Sequence, residues 1–210
     1  MDDGRNEKIW CGESRGDGQA PCQILEMIWD LPVAVDIAGK SVKIRNKCDY
    51  RVVLDAISAL NDCELTDDEK IKCALFIFYD DWTEIEDFEV AAQEMMRIIR
   101  GGEDEEEGAN NRPRVMDWEH DFPQIAPPVS RVLGYDVRTP DKYTHWYTFL
   151  GGYMEIGDCT FATVVGIRSK RAKGKKLEAN EIEFFREHRK MVELPQKMTA
   201  AEKAELDAEW

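Results

Sequence analysis

The sequence predicts a mostly α-helical protein with one small β-hairpin near its N-terminus. Three observations carry this. Apolar residues recur at helical spacing through most of the chain. The form S/T-x-x-E stands before two of those segments, at Thr66–Glu69 and Thr83–Glu86, as a capping box does. Only the stretch from Val33 to Ile44 alternates with a period of two.

Taken in order, residues 1–28 are rich in Gly, Asp, Glu, Arg and Asn and read as a flexible leader. The apolar run ILEMIWDL from Ile24 is stopped by Pro32. Residues 29–100 hold the hairpin and helices. Val33, Val35 and Ile37 form one strand, Ala38-Gly39-Lys40 the turn, and Val42 and Ile44 the other strand. A helix from Tyr50 to Leu60 carries Val53, Ile57 and Leu60 on one stripe, and Asn61-Asp62 end it. The box at Thr66 opens a helix through Ile71, Ala74, Leu75 and Phe78. The form at Thr83 is expected to open another, with Ile85, Phe88, Ala92, Met95, Met96 and Ile99 on one broad face up to Gly101, a natural C′ residue.

Residues 101–113 read as an acidic linker or loop. Glu103-Asp104-Glu105-Glu106-Glu107 repel one another and carry no apolar period. Residues 114–193 form an aromatic-rich helical half. Between Trp118 and Gly134 the apolar rhythm is helical, but Pro123, Pro127 and Pro128 predict a helix, a break and a second short helix. Thr139-Pro140-Asp141 is expected to start a helix through Tyr143, Trp146, Tyr147, Leu150, Met154 and Ile156. Phe161–Ile167 is a short apolar segment, and Glu181–Val192 a last helix. Residues 194–210 are a charged tail. Trp146, Leu150, Phe161 and Phe185 are expected to be mostly buried, in a core that spans both halves.

Charge narrows the function. With 28 Lys and Arg against 43 Asp and Glu, the formal net charge is −15. Phosphate backbones repel such a surface, so nucleic acid is not an expected partner. No apolar run reaches membrane-spanning length, so neither is a membrane. The start Met1-Asp2-Asp3-Gly4 has no apolar signal region, and a cytoplasmic location is expected. Cys11, Cys22, Cys48, Cys63, Cys73 and Cys159 follow no metal or disulfide spacing and read as free thiols.

Catalytic signatures are missing. There is no phosphate-binding glycine loop, no nucleophile elbow and no H-E-x-x-H. No enzyme activity and no cofactor are expected. His120, between Glu119 and Asp121, reads as a surface histidine flanked by acids, and His145 as the edge of a packed helix. Asp80-Asp81 is a loop. Gly151-Gly152, inside an aromatic helix, implies close helix packing. The run RSKRAKGKK gathers Arg168, Lys170, Arg171, Lys173, Lys175 and Lys176 into a solvated loop or an acid-binding segment.

The second half also carries a resemblance. Arg131-Val132-Leu133-Gly134-Tyr135, His145-Trp146, the stretch YMEIGDCTF from Tyr153 to Phe161, and Ile167-Arg168 followed by Gly174-Lys175-Lys176-Leu177 are similar to the bacteriophage gene-product-15 family. Leu31-Pro32, the hairpin through Gly39, Tyr50-Arg51 and the turn Asn61–Lys70 agree more weakly. Residues 1–28 depart from the family's usual early start, and Thr148 stands where a second tryptophan is more usual. The resemblance implies a tail-morphogenesis factor of the host cell cytoplasm, absent from the mature virion. It would be like the tail assembly chaperones that hold the tape-measure protein, with other tail-module proteins and self-association as further contacts. A component retained in the virion tail or connector is the alternative. Tyr143, Trp146, Tyr147, Arg168, Lys170, Arg171, Lys175 and Lys176 are the candidate partner-binding residues.

Overall fold

The computed structural model describes residues 30–103, 113–195, 198, 199 and 202. The leader 1–28, most of the acidic tract and most of the tail lie outside these residues. All contacts below are within the unit Leu31–Trp210. The described residues form a two-stranded antiparallel hairpin, β1 (Ala34–Ile37) and β2 (Lys40–Lys43), followed by eight helices. These are α1 (Tyr50–Leu60), α2 (Asp67–Phe78), α3 (Phe88–Ile99), α4 (Trp118–Leu133), α5 (Trp146–Met154), α6 (Thr160–Ala172), α7 (Ala179–Glu187) and α8 (Arg189–Val192).

The hairpin follows from its alternation. Val35 pairs with Val42, and both point inward with Ile37 and Ile44. Ala38 and Gly39 turn the chain at φ 53° and 82°, both left-handed as a two-residue hairpin loop requires. The Asp36 carboxylate accepts the Gly39 N–H at 2.9 Å.

After β2 the chain enters an unforeseen strained turn. Asn46, Lys47 and Cys48 all have positive φ, at 48°, 55° and 62°. Each costs about 1 kcal/mol or more for a residue with a Cβ. The second half of the chain holds them. Tyr143 Oη donates to the Lys47 carbonyl and the Trp146 N–H to the Cys48 carbonyl, both at 2.8 Å. Asp49 then caps α1 by accepting the Arg51 N–H at 3.0 Å, and its other oxygen takes the Thr144 N–H at 3.1 Å. A β-bridge pairs Asp49 with His145, the cap of α5.

The box at Thr66 forms as expected: the Glu69 carboxylate accepts the Thr66 N–H, and the Thr66 hydroxyl accepts the Glu69 N–H. The expected cap at Thr83 does not form. Thr83 lies inside a 3-10 turn, Trp82–Glu84, with Ile85 extended after it, and the Glu86 carboxylate pairs with Lys40 at the start of β2 at 2.6 Å. Asp87 caps α3 instead, accepting the N–H groups of Glu89 and Val90.

Four further expectations are corrected. Helix α4 does not break: its 16 residues run through Pro123, Pro127 and Pro128. An interior proline costs about 3 kcal/mol. Pro123 and Pro127 sit on the exposed side, where solvent serves the freed carbonyls, while Ile125, Ala126 and Val129 are fully buried. Helix α5 starts at Trp146 and not at Thr139: residues 136–142 are held in turns by Thr139 N–H to Asp136 O and Lys142 N–H to Thr139 O, and Arg51 also donates to the carbonyls of Val137, Thr139 and Lys142. The apolar segment at Phe161 extends into the 13 residues of α6, so half of the cationic run is helical and not loop. The last helix is interrupted at His188.

One hydrophobic core draws on both halves, from Val35 and Ile37 through Phe78 and Met95 to Val129, Trp146 and Phe161. Trp146 and Phe161 are buried as expected, while Leu150 and Phe185 are half-buried. A smaller cluster joins Val164, Ile167 and Val192. Gly152 explains itself: a Cβ there would lie 3.1 Å from Leu133 Cγ and 3.3 Å from Val129 Cγ1, so α4 and α5 pack through the missing side chain. Gly151 has no atom within 4 Å of such a Cβ.

Two expectations follow for stability. Gly151→Ala should stabilise by about 0.5–1 kcal/mol through helix propensity, whereas Gly152→Val should destabilise by about 1–3 kcal/mol through overpacking. Urea melts of the two variants check this, and equal effects would rule out the close approach. The second concerns His145, whose Nδ1 accepts the Tyr147 N–H while Nε2 reaches the Pro32 carbonyl. Burial lowers its pKa from the usual 6.5. The unfolded chain therefore binds a proton first, and stability falls as pH drops below about 6.5. His145→Asn keeps a cap and should lose this part of the pH dependence in melts compared at about pH 7.5 and 5.5.

Candidate partner-binding surfaces

The eight residues marked in the sequence separate into three environments. Arg168 and Trp146 are interior. Trp146 is 1% exposed, and its indole N–H donates to the carbonyls of Ile98 and Ile99 at the end of α3. Its ring meets Trp118 and Phe149. Neither residue is available to a partner in the folded chain, and for both the reading as a surface contact is corrected.

Arg168 is the more telling case. It is 6% exposed and faces Asp121, which is fully buried. Nη1 donates to Asp121 Oδ2 at 2.7 Å and Nη2 to Asp121 Oδ1 at 2.9 Å. The other donors reach backbone carbonyls: Nη1 to Val115 at 3.1 Å, Nη2 to Met191 at 2.8 Å and Nε to Val192 at 2.7 Å. All five guanidinium N–H groups are thus used, as a buried charge requires. Asp121 also accepts the Asp117 N–H at 3.0 Å. His120 Nε2 lies 4.0 Å from Asp121, and both carboxylate oxygens are already occupied by Arg168. The acid beside His120 is therefore structural, not part of a surface acid–base pair.

The rest of the set lies nearer the surface without forming one patch. Tyr143 is 48% exposed, but its hydroxyl is committed to Lys47. Tyr147 is half-buried and stands against Gly102, whose Cβ would come 3.2 Å from the tyrosine hydroxyl. Lys170 pairs with Glu181 at 2.7 Å and Glu178 at 3.4 Å, which raises its pKa chiefly through the Glu181 hydrogen bond. Arg171 lies over the Phe185 ring at 4.4 Å. Arg171, Lys175 and Lys176 are exposed, and of these Lys175 and Lys176 stand in the loop after α6.

A different surface has the form of a docking groove. Helices α2 and α3, with the end of α1, enclose a trough of about 840 Å³. Its apolar wall comes from Leu60, Ile71, Phe88, Ala92 and Met96, with Met95 beneath. Ile71 is 41% and Phe88 43% exposed, although both sit on the apolar stripes of their helices. The reason is visible in α3. Its buried stripe is Ala91, Met95 and Ile98. Phe88, Ala92 and Met96, each four residues apart, form the other edge of the same broad apolar face; among the described residues Phe88 is exposed and Ala92 and Met96 are half-buried. The sequence places Phe88, Ala92, Met95 and Met96 on one broad face, and the structure buries only part of that width. The rim is charged and internally paired, with Lys72 on Asp68 at 2.5 Å and Arg97 on Glu94 at 2.7 Å. Methionine adapts to varied partners, and the trough matches an amphipathic helix laid along α3.

Among the described residues no group of histidine, cysteine or acidic side chains is arranged to hold a metal ion. Cys48, Cys63, Cys73 and Cys159 are free thiols, and burial pushes the Cys48 thiol up to about 12. No helix among these residues is long and apolar enough to cross a membrane. The family described as Bacteriophage Gp15 protein matches residues 27–194, which is most of the chain. No curated protein and no solved structure matches it.

The division between buried and open cations is testable. Arg168→Lys keeps the charge but cannot serve five acceptors, and should cost about 3 kcal/mol in a urea melt. Lys175→Ala with Lys176→Ala should stay within about 0.5 kcal/mol of the parent. Near-equal losses would show that Arg168 is not the anchor described.

Proposed function

This chain belongs to the Bacteriophage Gp15 protein family, whose role is structural or morphogenetic, and on that premise we propose that it is a tail assembly chaperone. Its client is the tape-measure protein, which is long, helical and apolar over much of its length and would aggregate alone. The observation that carries this reading is the open trough between α2 and α3, where Ile71, Phe88 and Met96 offer an apolar bed to a helix. The net charge of −15 supplies the second requirement, because complexes that repel one another stay in solution. The protein acts in the host cytoplasm before the tail tube closes around its client and leaves before the virion is complete.

Co-expression tests the proposal. The tape-measure protein should move from the pellet to the soluble fraction and co-purify with this chain. Ile71→Glu with Phe88→Glu should abolish co-purification while leaving the fold intact, since both side chains are already exposed. Moderate salt should leave the parent complex in place, because apolar burial is not screened. If the two proteins never co-purify, the chaperone reading fails. If this chain is found at fixed copy number in mature tails, it is a virion component instead.

A further inference from the structure

A second concavity lies on another face, between α1 and the start of α4. It holds about 480 Å³, within the usual range for a binding site. Leu54 and Ile57 of α1 line one side, and the half-buried rings of Trp118 and Phe122 line the other. Its charges do not balance. Both cations at its edge are already committed. Arg51 donates to Asp49 and to the carbonyls of Val137, Thr139 and Lys142, and lies over the Tyr50 ring at 4.8 Å. Arg138 forms a two-pronged pair with Asp136, at 2.9 Å in each contact. Two carboxylates in the same lining, Asp55 and Glu119, have no hydrogen bond or ion pair among the described residues. Burial alone raises the Asp55 pKa, with no neighbouring cation to offset it.

An aromatic wall with two uncompensated carboxylates favours one kind of guest. The ring faces carry negative charge density and attract a cation, while Leu54 and Ile57 suit an aliphatic stem. An anion would meet carboxylates with no spare cation. A neutral apolar guest would leave Asp55 desolvated and unpaired, which costs free energy. We propose that this cleft is the receptor for a single basic side chain, lysine or arginine, presented with flanking apolar residues on the protein segment that this chain binds. The segment's identity as part of the tape-measure protein rests on the reading above; the recognition chemistry does not. The trough on α2 and α3 would then hold an apolar helix face, and the cleft would select for a positive charge elsewhere on the same client.

The probe is a pair of short peptides, acetyl-Leu-Ala-Arg-Ala-Leu-amide and the same peptide with citrulline for arginine. Citrulline keeps the shape and removes the charge. Titration of the ¹⁵N-labelled full chain by NMR should shift the amides of Leu54–Ser58 and Trp118–Phe122 and the Trp118 indole N–H. The arginine peptide should bind about tenfold more tightly than its citrulline counterpart, the sum of a partly desolvated cation–π contact and one ion pair. Asp55→Asn and, separately, Glu119→Gln should each shrink that ratio, and the double variant should leave only the cation–π share, about two- to fivefold. Both residues are exposed and unpaired, and the variant spectra report whether the fold is kept. Equal affinity for the two peptides, shifts that map elsewhere, or no shift at all would overturn the proposal. The assay contains no tape-measure protein, so its failure leaves the chaperone reading standing, and a missing complex leaves the peptide result standing.

Discussion

The buried pair of Arg168 and Asp121 is the constraint from which the C-terminal half takes its arrangement. Removing two charges from water costs several kcal/mol per ion, and only good geometry with full hydrogen bonding returns it. Here one guanidinium joins four stretches of chain: Val115 ahead of α4, Asp121 in its first turn, α6 through its own backbone, and Met191–Val192 in α8. The small cluster of Val164, Ile167 and Val192 forms beside it. An unpaired arginine at this depth would be intolerable, so these stretches come together or not at all.

A second junction fastens the two halves. The left-handed turn Asn46–Cys48 is held because Tyr143 and Trp146 satisfy the carbonyls of Lys47 and Cys48, and Asp49 and His145 cap their own helices while pairing with each other. Strain in one half is thereby offset by hydrogen bonds from the other. With Trp146 tied to the end of α3 as well, the aromatic residues that most resembled a binding patch are used in holding the protein together. Among the described residues the trough on α2 and α3 and the acid-edged cleft beside α1 stay open, and the proposed partner contacts are assigned to these two surfaces.

Elements with a local signal were legible in the sequence. The hairpin alternation, the box at Thr66 and the stripe of α1 each declare themselves within a few residues; the structure forms the two helices with matching bounds and the hairpin with Lys40 already in its second strand. The differences fall where the chain meets distant segments. At Thr83 a 3-10 turn stands in place of the box, and Glu86 pairs with Lys40. Around Thr139 the chain is held in turns whose carbonyls also accept from Arg51. The prolines of α4 argued for a break that core burial of Ile125 and Val129 overrode. Arg168 stood in a run of lysines and took on their solvated character, since nothing in its neighbourhood names Asp121. The excess apolar width of α3 was present in the sequence, but covered and uncovered stripes look alike until the packing is known.

The account makes Arg168 and Asp121 a coupled structural unit, and a double-mutant cycle measures that coupling directly. Arg168→Met, Asp121→Leu and the double variant would be compared with the parent in urea melts. Each single change should cost about 3–5 kcal/mol, because it strands the other charge in the interior. The double variant should cost no more than either single one, giving a coupling of at least about 3 kcal/mol. Additive losses, or single variants near parental stability, would contradict the account and return Arg168 to the solvated cations around it.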